Sequence, residues 1–185
     1  MINKNKTILI TMCALFAALL AVCSQIQIPL EFIPINLALF AVYLAGIILG
    51  PWAGASSVSV FVLLGVAGVP VFAGFKGGLG AITGHTGGYI VGYIFAALVT
   101  GFVVRITNDK IYMMIIACVV GMAVCYILGT VWFIILTKMS VAKAISLCVV
   151  PFLPGDAIKI VLAAVTGNRL KKLMPELSEL SRSVN

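Results

Sequence analysis

Four long stretches of this chain carry no charge: Thr7 to Leu30, Phe32 to Phe75, Gly77 to Val104 and Ile111 to Thr137. A helix that crosses a bilayer needs about 20 consecutive apolar residues. The first, third and fourth stretches hold one span each. The second is long enough for two, and Gly50-Pro51 divides it, since glycine ends helices and proline cannot continue one. After Lys143 a last apolar run reaches Asn168. The pattern predicts spans near 7–27, 35–50, 52–68, 87–105, 111–137 and 152–170. Lipid tolerates only helices or closed barrels, and these segments lack the short alternation of barrel strands. An all-α integral membrane protein with six transmembrane helices is therefore expected. Composition agrees. Of 185 residues, 63% are hydrophobic and 9% charged, against about a quarter charged in soluble domains. So few charges cannot cover a water-soluble globule, and so much apolar surface excludes disorder.

Lys4 and Lys6 ahead of the first apolar run resemble the start of a secretory signal. The run exceeds the roughly 7–15 residues of a signal core, and five more apolar segments follow, so a retained span is expected. Six spans put both termini on one side. That side carries Lys4, Lys6, Arg105, Lys110, Arg169, Lys171, Lys172 and Arg182, while the opposite side carries only Lys76, Lys138 and Lys143. The positive-inside rule then places both termini in the cytoplasm and the loop between helices 3 and 4 outside. One membrane domain is expected over 1–174, with a polar, fraying cytoplasmic tail over 175–185. The net charge of +7 follows from this bias and does not call for nucleic acid.

Several chemistries are excluded by what is missing. Cys13, Cys23, Cys118, Cys125 and Cys148 form no CxxC and lie in or beside apolar segments, as small buried hydrophobes do. A single histidine, His85, excludes a metal site of the two-histidine kind, and no metal or cofactor is expected. The run Gly80 to Thr86 resembles the end of a phosphate-binding loop, but Leu79 stands at the first glycine position and His85 at the lysine. If transport here is energised by ATP, another chain hydrolyses it. Nothing pairs a nucleophile with a base, so no enzyme is expected.

Three features remain as candidates for function. The segment from Gly68 to Gly92 is the most glycine-dense of the chain and also holds Lys76, Thr83, His85, Thr86 and Tyr89. Glycine admits positive φ and close approach of a ligand to the backbone, and the interleaved apolar residues suit a packed lid. The second is Pro154-Gly155-Asp156-Ala157-Ile158-Lys159. Asp156 and Lys159 share a helix face at i, i+3. If Arg169 marks the cytoplasmic interface, Asp156 sits about 10 Å below the outer surface of the hydrocarbon core. An ionisable pair at that depth marks a functional site; the alternative is that Asp156 caps the last helix and Lys159 neutralises it. The third is a small-residue pattern in the first span, Ala14/Ala18 and Ala17/Ala21, which permits close helix approach within the chain or to a partner.

Gly68-Val69-Pro70-Val71-Phe72-Ala73-Gly74, Gly84-His85-Thr86-Gly87-Gly88-Tyr89 and Pro154-Gly155-Asp156 with Lys159 together resemble BioY, the biotin-specific substrate-binding subunits of energy-coupling-factor (ECF) vitamin transporters. The resemblance runs end to end, with two departures: His85 stands where the family usually has proline, and Pro34-Ile35-Asn36-Leu37-Ala38 replaces a PxTLQ-like opening. It implies a multi-pass S component of a bacterial plasma membrane that captures biotin from outside. Its partners would be a transmembrane coupling protein and two ATP-binding-cassette ATPases, docked through Ala14 and Ala18. Asp156 would accept from the ureido N–H groups, and Lys159 or Lys76 would meet the carboxylate or the ureido oxygen. Tyr89, Thr86, Gly87, Gly88 and Asn36 complete the expected ligand contacts. The alternatives are an S component for another vitamin and a stand-alone secondary transporter. The second would commonly carry an internal repeat, and none is visible.

Overall fold

The computed structural model describes residues 4–30, 32–107 and 110–173. Within them the chain forms α1 (Lys4–Gln25), a short hairpin of β1 (Gln27–Ile28) and β2 (Ile35–Asn36), then α2 (Ala38–Leu49) and α3 (Pro51–Val66). After a folded loop come α4 (Leu79–Thr83), α5 (Gly87–Ile106), α6 (Ile111–Thr137), α7 (Val141–Cys148) and α8 (Leu153–Leu173). The strands pair antiparallel, Gln27 opposite Asn36 and Ile28 opposite Ile35. The tail over 175–185 lies outside the described residues.

The centre of the bundle is α2. Every residue from Ala38 to Leu49 except Phe40 is buried, and α1, α3, α5, α6 and α8 all pack on it. A helix apolar on every side belongs in such a place. Close crossing depends on glycine: a Cβ on Gly46 would lie 2.7 Å from the Ala97 carbonyl oxygen of α5. Gly50, at φ +80°, ends α2, and Pro51 opens α3 at its first turn. The chain thus reverses at the expected Gly50-Pro51 break.

Helices occupy all six segments expected from the sequence, but their lengths differ from six full spans. With 12 and 16 residues, α2 and α3 measure about 18 and 24 Å, short of the roughly 30 Å hydrocarbon core. By length and composition α1, α5 and α6 are long enough to cross, and α7 with α8, bent by 54° at their break, is a fourth candidate if the pair is one span. The shortening has a local cause. Residues 27–36, expected partly as helix, go into the hairpin, and the left-handed Gly50 cuts the second stretch.

The small-residue pattern of α1 divides by direction. Ala17 is buried with Phe16, Leu20 and Cys23, whereas Ala14 and Ala18 are exposed on the outward face.

Candidate substrate-binding site

The last helix brings Asp156 and Lys159 to the interior end of a cavity of about 190 Å3. Asp156 lies in the first turn of α8, where negative charge is favoured. Lys159 Nζ donates to Asp156 Oδ1 at 2.6 Å, and the Tyr126 hydroxyl of α6 donates to Oδ2. Both carboxylate oxygens therefore have side-chain partners, Lys159 on the same helix, as the capping alternative also has it, and Tyr126 on a second helix. Asp156 is fully buried and Lys159 nearly so. Removing charges from water costs several kcal/mol per ion, and only such complete satisfaction offsets it.

Aromatic and aliphatic side chains form the walls. Tyr89, Ile90 and Tyr93 come from α5, Leu39 from α2 and Phe61 from α3. The Tyr89 hydroxyl is engaged with Thr130 Oγ1 at 3.1 Å and with the Cys148 carbonyl at 3.4 Å. Tyr89 thus offers its ring, set edge-on to Tyr126 at 6.4 Å. Tyr93 is one helical turn from Tyr89 and shares its face.

Two loops complete the lining. The β1–β2 hairpin contributes Phe32, Ile33 and Pro34, and the glycine-dense loop contributes Phe72, Ala73, Gly74 and Lys76. The latter loop is a folded structure. Phe72 and Lys76 exchange backbone hydrogen bonds of 2.9 and 3.2 Å, and the reversal between them uses Gly74 at φ +73° and Phe75 at +55°. Phe72 is buried edge-on against Phe61. The end of α1 holds the loop in place: Gln25 Nε2 donates to the carbonyls of Val71 and Phe72 at 3.0 and 3.1 Å, its Oε1 accepts from the Phe75 amide at 3.0 Å, and Ser24 donates to Val71.

Of the residues singled out from the sequence, Asp156, Lys159, Tyr89, Thr86, Lys76 and Asn36 all line this one cavity. Asn36 also accepts from the Ala38 amide at 3.1 Å, fixing the start of α2. Gly87 and Gly88 are outside the lining, buried where α5 begins. A Cβ on Gly88 would meet the Leu128 carbonyl oxygen at 2.8 Å as well as the Trp132 side chain, so this glycine allows α5 to pack on α6. Sequence reasoning missed Tyr126, Tyr93 and the hairpin. α6 carries two tyrosines in an uncharged 27-residue run, Tyr112 exposed and Tyr126 buried; a buried hydroxyl needs a partner, but the sequence does not show which of the two is buried. Among the described residues no three His, Cys, Asp or Glu side chains converge as metal ligands.

An aromatic-walled cavity with one satisfied ion pair, set among apolar helices and roofed by ordered loops, defines a membrane-embedded subunit that binds a small molecule. The chain belongs to the BioY family, whose model matches residues 1–176, as the sequence motifs implied. It is 40% identical to the biotin transporter BioY of Thermotoga maritima over 88% of this chain and 95% of that protein. It is 34% identical to the biotin transporter BioY of Rhodobacter capsulatus over 90% and 94%. Its fold matches the crystal structure of the S-component for biotin from an ECF-type ABC transporter, with a TM-score of 0.86, 28% identity, and coverage of 93% of this chain and 95% of that one.

Proposed function

We propose that this chain captures biotin at the outer face of the cell membrane and delivers it inward as the S component of an ATP-driven ECF transporter. The observation that carries this reading is the interior end of the cavity, where Asp156 is fixed by Lys159 and Tyr126. Biotin's ureido group has two N–H donors and a strong carbonyl acceptor, and a carboxylate beside an ammonium complements both. The apolar bicyclic ring then lies among Tyr89, Tyr93 and Phe61, and the valerate carboxylate reaches outward to Lys76 at the loop.

In this reading the six principal helices form one membrane domain over 1–174, with both termini cytoplasmic and the glycine-dense loop outside. The short α2 and α3 complete their crossing with the loops that flank them. The exposed Ala14 and Ala18 of α1 offer a flat surface to the coupling protein, and two ATPases of the same complex supply the energy. This chain supplies recognition and performs no chemistry on its ligand.

Calorimetry on the detergent-purified chain tests the proposal. Biotin is expected to bind without ATP and without the other subunits, while other vitamins do not. Binding of a different vitamin in place of biotin would overturn the assignment of ligand.

A further inference from the structure

Beside the biotin cavity lies a second, more open pocket of about 370 Å3. Phe32, Lys76, Ala81 and Thr86 line both spaces, so the outer one continues the inner. In the inner cavity Asp156 and Lys159 are buried and paired with each other. A ligand longer than biotin, held there by its ureido group, extends toward the pocket that shares the lining. The second pocket is more open than the first and has space for more than one terminal carboxylate.

Its rim is held in a fixed shape. The Trp132 indole donates to the Gly84 carbonyl at 3.1 Å. The His85 ring packs between Phe32 and Phe133, with centroids at 6.0 and 5.8 Å. His85 is exposed, and among the described residues neither of its ring nitrogens has a hydrogen-bond partner. Lys76 and His85 both line this pocket, and each carries a nitrogen donor.

We infer that the chain also binds biotin whose carboxyl group is amide-linked to an amino acid, with the amino acid in the outer pocket and its carboxylate against His85 and Lys76. The amide removes the charge that Lys76 would otherwise meet, and the added carboxylate restores it one residue further out. This inference rests on biotin lying ring-inward as proposed above. It widens the ligand class from the free vitamin to its amide conjugates with amino acids.

The test is calorimetry on the full chain in detergent with two probes, biotin and biotinyl-lysine, for wild type and His85→Phe. Phenylalanine keeps the ring packing and removes the donor. Biotinyl-lysine is expected to bind the wild type within about tenfold of biotin. His85→Phe is expected to leave biotin unchanged and to weaken biotinyl-lysine about tenfold, the usual effect of one lost charge-assisted hydrogen bond. Binding of biotin without biotinyl-lysine overturns the inference alone, as does a variant that affects both probes equally. Binding of neither probe overturns the proposed function along with it.

Discussion

Asp156 places a carboxylate where a membrane protein least tolerates one, and its two oxygens are divided between Lys159 and Tyr126. Asp156→Asn keeps an oxygen acceptor, whereas Asp156→Ala leaves a ligand N–H unpaired in a poorly hydrated pocket. That loss costs about 1–3 kcal/mol, or about ten- to hundredfold in affinity. Biotin titrations should show weaker binding for both variants and the larger loss for Ala, with both proteins still monodisperse. Unchanged affinity with a lowered melting temperature would make Asp156 purely structural. Gln25 acts on the other end of the cavity through three hydrogen bonds to the loop backbone. Each is worth about 1 kcal/mol, so Gln25→Ala should loosen residues 71–76, raising both the amide exchange rate of Phe75 and the rate of biotin release. An unchanged Phe75 exchange rate would count against this role. The Asp156–Lys159 pair was legible in the sequence because spacing and depth need only one helix. Tyr126 was not, because its bond to Asp156 joins residues 30 apart, and no local pattern reports which helices become neighbours.

Helix positions were more legible than helix extents. Uncharged runs mark lipid-facing and buried segments alike, which is why 111–137 coincides with α6 while 35–50 shrinks to Ala38–Leu49. The hairpin, α4 and α7 were missed: two-residue strands and helices of 5 and 8 residues are shorter than the periods that reveal them. Close crossings decide stability at this scale. Gly46→Val would drive side-chain atoms into the Ala97 backbone, and overpacking of this kind costs about 1–3 kcal/mol. A lower thermal midpoint in detergent is expected, and a midpoint equal to wild type would contradict the tight α2–α5 crossing. The exposed Ala14 and Ala18 have a different consequence. Tryptophan at either position should leave biotin affinity intact and reduce copurification with the coupling protein, because the added bulk prevents close helix approach. Normal copurification would move the docking face elsewhere on the chain.

In the proposed reading, recognition and assembly use different parts of the molecule. The ligand cavity lies between α2, α3, α5, α6 and α8 beneath the loops, and the candidate docking face lies on the far side of α1. That helix belongs to both regions, since its C-terminal end holds the loop through Ser24 and Gln25 and its middle presents Ala14 and Ala18. Engagement of α1 by a partner can therefore bear on the loop above the ligand without any long relay. The central claim concerns where biotin lies and which way it points, and a structure of the purified chain crystallised with biotin measures that directly. The account predicts the ureido group against Asp156 and Lys159, the bicyclic ring among Tyr89, Tyr93 and Phe61, and the carboxylate at Lys76. Biotin in the reverse orientation, or bound outside this cavity, would contradict it.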